Sequence, residues 1–186
     1  GVGKYQDYAA HLPACKEMTE QLSRMIHDIL EAAKPGSAME PSVPADVSAL
    51  LQKLCKPWQM IASAHAISFS LDLPEQFSAT LPVGPFCKAV SNVLANAVAY
   101  TDAGKRVAVY MDGRSLIIEN ECVPIPADEI HRLFEPFYRP GFSHSRKGGG
   151  NGLGLYLVDT LLTSMRLPYS FSPMSAPAGM RFTIRL

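Results

Sequence analysis

Tyr8, Leu12, Cys15, Thr19, Leu22, Ile26, Ile29 and Ala33 follow one another at alternating spacings of four and three. That is the heptad seam of a helix, with Thr19 its one polar member. Lys16, Glu17, Glu20, Arg24 and Asp28 fill the other faces. Proline cannot sit deep inside a straight helix, so the pattern predicts a helix that starts or kinks at Pro13 and runs to about Lys34, roughly 30 Å. A seam of this length needs a partner helix. No second heptad helix occurs in the sequence, so the partner is expected from another chain or a segment outside this one.

The pattern then changes. Residues 35–45 are rich in Pro, Ser and Gly and read as a linker, separating 1–34 from a domain over 46–186. Asp46 is placed to cap a helix whose apolar stripe is Val47, Leu50, Leu51 and Leu54, ended or bent by Pro57. Ile67, Phe69, Leu71 and Leu73 alternate with Ser68, Ser70 and Asp72, the signature of a half-buried strand. A helix is predicted over 84–100, with Phe86, Val90, Val93, Leu94 and Val98 inward. Strands follow over 105–112 and 115–120, joined by an Asp112-Gly113 turn. A short helix over 126–134, a Gly-, Ser- and basic-rich stretch over 138–151, a helix over 152–166 and strands over 167–173 and 179–186 complete the chain. The fold class is α/β: a two-layer sandwich with helices on one face of a mixed, largely antiparallel sheet.

Composition narrows the functions. The chain has 186 residues, 47% hydrophobic and 18% charged, enough to bury a core. Its 17 basic and 17 acidic residues give a formal net charge of +0, so no basic excess marks a nonspecific nucleic-acid binder. The 4 cysteines (Cys15, Cys55, Cys87, Cys122) are scattered without a C-x-x-C pair, which argues against a zinc cluster or disulfide scaffold and suits a reducing cytosol. No run of 18 apolar residues suggests a membrane span, no signal peptide opens the chain, and the opening reads like the middle of a longer protein.

Three stretches carry chemistry. Asn92 and Asn96 lie one helical turn apart on an otherwise apolar face. Buried carboxamides want partners: a hydrated Mg2+ with phosphate oxygens would supply them, as would neighbouring backbone. Between 148 and 154, five of seven residues are glycine, running straight into a helix, with Arg146 and Lys147 just before. This reads as a phosphate cradle or as a flexible surface loop; it lacks the Lys-Ser/Thr of a Walker loop, and follows a loop rather than the strand of a Rossmann turn. The aromatics of Leu133-Phe134-Glu135-Pro136-Phe137-Tyr138-Arg139 read either as core or as the anchor of a mobile lid.

In this order the three stretches resemble the ATP-binding domain of sensor histidine kinases, of the GHKL (Bergerat-fold) superfamily. Asn92-x-x-x-Asn96-Ala-x-x-Tyr100-Thr101 is similar to the N box, Phe134-Glu-Pro-Phe137-Tyr-Arg139 to the F box, Gly149-Gly-Asn-Gly152-Leu-Gly154-Leu to the G2 box, and Gly179-Met-Arg-Phe182 to the closing G3 strand pair. Residues 1–34 resemble the second helix of the family's dimerisation domain. The resemblance implies ATP and Mg2+ as cofactors. It implies Asn96 as metal ligand, with Asn92 supporting metal or phosphates. Lys88 is implied near the phosphates, and Tyr100 and Ile125 against the nucleotide. Gly150, Gly152, Leu153, Gly154 and Leu155 are implied around the phosphates, and Arg139 with Arg146 or Lys147 at the γ-phosphate. Asn92, Arg139 and Arg146 form its implied catalytic group. Further implications are a homodimer, a response-regulator receiver domain as partner, no nucleic-acid partner, and a cytoplasmic position in a sensor anchored to a bacterial membrane through segments outside this sequence.

Two departures bear on that expectation. Where the family has Asp-x-Gly-x-Gly-Ile-Pro, this chain has Asn120-Glu-Cys122-Val-Pro124-Ile125-Pro. The aspartate that accepts from the adenine amino group becomes a neutral Asn120, as in a subset of Gram-positive kinases that includes some glycopeptide-resistance sensors. The loss is about 1 kcal/mol, which predicts weaker adenine binding or a remodelled pocket. Glu119 does not substitute, because strand alternation turns it to the other face. Second, none of His11, His27, His65, His131 and His144 has the phosphoacceptor context, so ATP binding without self-phosphorylation is expected. The competing expectations are a nucleotide-binding scaffold without turnover and a gyrase-type ATPase. The latter needs a catalytic Glu where this chain has Asn92.

Overall fold

The chain divides into two compact units, Gly1–Pro35 and Gly36–Leu186. The computed structural model describes residues 40–139 and 152–186, all in the second unit. The heptad helix expected over 13–34 lies outside the described residues, as do Arg146, Lys147 and Gly150.

Two short strands come together first. β1 (Val43–Asp46) pairs antiparallel with β3 (Ser78–Leu81), Val43 opposite Leu81. The end of the stretch expected as linker is therefore ordered. Pro44 is tolerated because a strand at an edge needs no donor there, and the Gly84 amide donates to Glu40 Oε2 at 3.0 Å, anchoring the segment. β3 is too short for a pattern to announce it.

Helix α1 (Val47–Ala64) starts where Asp46 accepts the Ala49 amide at 3.2 Å. Of the two outcomes expected at Pro57, an end or a bend, the helix does not end there and runs a further two turns. Val47, Leu51, Cys55 and Ala62 are fully buried, and this burial outweighs the one backbone bond that proline removes. Helix α2 (Val83–Ala99) opens on Pro82 and Pro85, where amides have no helical partner to lose. It buries Phe86, Val90 and Leu94 completely. Helix α3 (Gly154–Ser164) buries Leu157, Val158 and Leu162. The short helix expected over 126–134 is a 3-10 turn, Ile130–Phe134.

The main sheet has the order β2-β4-β5-β7-β6. Its strands are β2 (Ser68–Asp72), β4 (Arg106–Asp112), β5 (Ser115–Glu121), β6 (Tyr169–Ser175) and β7 (Ala178–Arg185). β2 runs parallel to β4; the other pairs are antiparallel. Gly113 makes the β4–β5 turn at φ +57°, a conformation glycine adopts without strain. Val107, Val109, Leu116, Ile118, Phe182 and Ile184 form one face and share a core with the three helices. The other face is polar. There the Glu119 carboxylate accepts from Tyr110 Oη at 2.9 Å and from Arg181 Nε at 2.7 Å. The result is the two-layer mixed sandwich that the pattern predicts.

Candidate functional site

Between α2, the ends of β5 and β7, and the start of α3 lies a cavity of about 450 Å³. Its α2 wall presents Asn92, Asn96 and Tyr100. Asn92 and Asn96 share the wall because they are one turn apart, while Val90, Leu94 and Val98 on the other side hold α2 in the core. Asn92 is partly accounted for by backbone: its Nδ2 donates to the Lys88 carbonyl at 2.9 Å. That bond fixes the amide and leaves Oδ1 as its acceptor.

Opposite stands Gly154, the first residue of α3. A methyl group there would lie 3.5 Å from Asn96 Nδ2 and 3.6 Å from Asn92 Oδ1. The positive end of a helix thus faces both carboxamides across a gap kept open by glycine. Gly152, at φ +72°, adopts a conformation that side chains rarely take. Arg139 also lines this wall and, among the described residues, is the only charged side chain of the cavity.

The far end is apolar. Ile118, Ile125, Leu133, Met180 and Phe182 line it, with Asn120 among them. Asn120 reaches the cavity because β5 alternates: Ile118 and Asn120 face the helices, while Glu119 faces Tyr110 and Arg181. In register opposite Asn120 is Met180, whose sulfur accepts the Ile125 amide at 3.3 Å. Next to it, Gly179 is required, since a Cβ there would collide with the Asn120 carbonyl oxygen. One end of the cavity therefore suits an anion and the other a flat apolar group with one polar edge.

Residues 84–186 match the family described as histidine kinase-, DNA gyrase B- and HSP90-like ATPases. The chain belongs to this family. Its ATP-binding domain is of the sensor histidine kinase type. The sensor histidine protein kinase HK06 of Streptococcus pneumoniae is 28% identical, covering 100% of this chain and 41% of the relative. The sensor protein VanSB of Enterococcus faecalis is 31% identical, covering 94% and 40%. The chain thus spans less than half the length of these curated relatives. Among solved structures, full-length ShkA, described as a complex with AMPPNP, has the same fold at TM-score 0.71 and 21% identity, covering 98% of this chain and 39% of that one.

In this ATPase family domain the sequence-derived candidates largely converge. Asn92, Asn96, Tyr100, Asn120, Ile125, Arg139, Gly152, Gly154 and Leu155 all line the cavity. Lys88 and Leu153 do not. Lys88 lies a turn earlier on α2, with its carbonyl holding Asn92, and the Leu153 side chain is buried where α3 begins. Leu133 and Tyr138, from the stretch read as core or lid, and Met180, from the closing strand pair, are wall residues that the sequence did not single out individually. Of the aromatics in 133–139, Phe134 is core, its ring 5.6 Å from Tyr169 and 6.4 Å from Phe171. Phe137 is 54% exposed.

Proposed function

We propose that this domain binds ATP with Mg2+ and presents the terminal phosphoryl group to a histidine on a dimerisation helix. In that transfer the bond from the γ-phosphorus to the bridging oxygen breaks, a phosphorus–nitrogen bond to imidazole forms, and ADP leaves. Relay to a response-regulator aspartate would follow, from a homodimeric sensor whose membrane anchor lies elsewhere in the protein. The observation that supports this reading best is Gly154 facing Asn92 and Asn96, with Arg139 in the same cavity. The chain's similarity to the sensor kinases HK06 and VanSB, and to ShkA in complex with AMPPNP, supports it as well.

The residues fit a magnesium ion shared with phosphates. Among the described residues no cluster of three His, Cys, Asp or Glu could hold a metal, so Asn96 would hold it and phosphate oxygens and water would complete the shell. When bound, Mg2+ neutralises charge on the phosphates. This chain's residues do the positioning: α3 amides and Arg139 orient the phosphates, and the apolar end holds the base away from water. A scaffold without turnover is the weaker reading, because both carboxamides and the glycine opposite them are in place. The gyrase-type route lacks its catalytic Glu at Asn92.

Calorimetric titration with a nonhydrolysable ATP analogue, with and without Mg2+, tests binding. Affinity between about 1 µM and 1 mM that strengthens with Mg2+ is expected. A folded sample that binds nothing sinks the proposal. Transfer of labelled γ-phosphate to separately supplied dimerisation helices tests the kinase step, and nucleotide binding without any transfer returns the scaffold reading.

A further inference from the structure

Asn120 is 7% exposed and sits at the apolar end of the cavity, between Ile118 and Met180. Its surroundings treat it differently from the other buried or half-buried polar side chains nearby. Glu119 is held by Tyr110 and Arg181, Thr101 donates to the Ala97 carbonyl at 2.6 Å, and Asn92 is tied to Lys88. No side-chain hydrogen bond engages the Asn120 carboxamide among the described residues. The carboxamide lines the cavity, so its donors and acceptor are open to whatever fills that end.

A carboxylate offers acceptors alone, whereas a carboxamide offers one acceptor and two donors. With nothing fixing which atom faces the cavity, a half-turn about the last side-chain bond exchanges oxygen for nitrogen and breaks no bond. A 6-amino purine presents a donor at C6 and an acceptor at N1. A 6-oxo purine presents an acceptor at C6 and a donor at N1. Asn120 complements the first with Oδ1 towards C6 and the second with Nδ2 towards C6. An aspartate oxygen held at the C6 substituent would accept from a 6-amino group and repel a 6-oxo oxygen, with no half-turn able to exchange it for a donor.

We propose that Asn120 is the specificity-determining residue of the base site, and that it makes the site accept guanine as well as adenine nucleotides. The proposal rests on the nucleotide reading above and deepens it. Ile118 and Met180, the cavity residues beside Asn120 on its own strand and opposite it on β7, are apolar, so discrimination falls to the amide itself.

The test is parallel titration of the 186-residue chain and its Asn120→Asp variant with ADP and with GDP, each with Mg2+. For the wild type, GDP should bind within about tenfold of ADP, and the variant should raise the GDP-to-ADP ratio of Kd by at least about tenfold, since a site built for one hydrogen-bond pattern rejects the other strongly. A wild-type gap above tenfold, or a smaller change in the ratio, overturns the proposal while leaving an ATP site standing. If the variant fails to fold, the wild-type ratio decides alone. A folded wild type that binds neither nucleotide overturns this proposal and the nucleotide reading together.

Discussion

The Phe137 amide donates to the Gly152 carbonyl at 3.0 Å, joining the chain on either side of the basic, glycine-rich stretch. The two backbones approach so closely that a Cβ on Gly152 would sit 2.7 Å from the Phe137 carbonyl carbon. Phe137 itself has φ +66° and Gly152 φ +72°. Gly152→Ala should therefore cost about 1–2 kcal/mol from conformation alone, lowering Tm by about 2–8 °C. Thermal denaturation reads this directly, and an unchanged Tm would mean the contact is not part of the folded state.

Gly154 differs, because a methyl there meets only ordinary contacts at 3.5–3.7 Å. Gly154→Ala should fold with a Tm close to wild type, yet weaken nucleotide binding roughly tenfold by filling the gap before Asn92 and Asn96. Asn96→Ala should fold as well and lose the strengthening of binding by Mg2+. Titration beside circular dichroism separates binding from folding. Retained Mg2+ dependence in Asn96→Ala would move the metal site elsewhere.

Glu119 lies on the sheet face away from the cavity and accepts from Arg181 and Tyr110. Its side chain is buried while Arg181's is half exposed, so the charge pair is screened on one side. Glu119→Gln should lower stability by about 1 kcal/mol in urea denaturation, with nucleotide affinity unchanged. A parallel loss of affinity would show that the two faces of the sheet are coupled.

Burial pushes the Cys55 thiol from 9.0 up to about 12. Tyr169 is also raised, by burial and then by its hydrogen bond to Asp159. The folded chain holds these protons where the unfolded chain releases them. Their contribution is complete below about pH 9 and is lost as pH rises towards 12. Cys55→Ala should therefore lose less Tm between pH 9 and 11 than the wild type. Parallel slopes in a pH series of thermal melts would exclude the thiol as a source.

Much of this was legible before any coordinates. The period-two pattern of 67–73 marks the edge strand β2 and the period-3.6 pattern of 84–100 marks the helix that walls the cavity, because each buries one continuous face. The Asn pair and the glycine run were visible because few residue types can do that chemistry. The sequence leaves open whether the helix stops at Pro57, since local propensity does not register the fully buried face that carries α1 through it. β1 and β3 went unseen because their partners are each other, far apart in sequence. Met180 as a wall residue was equally hidden: its neighbour Asn120 is set by register between β5 and β7, a long-range property.

That register has a consequence for what the cavity can recognise. Glu119 and Asn120 are consecutive, and the ladder between β5 and β7 alone decides which of them looks inward. A slip of one residue would carry a carboxylate into the apolar end and strand Arg181 without its acceptor. The Glu119–Arg181 bond on the outer face is thus compatible with one register only, the register that turns Asn120 towards the cavity.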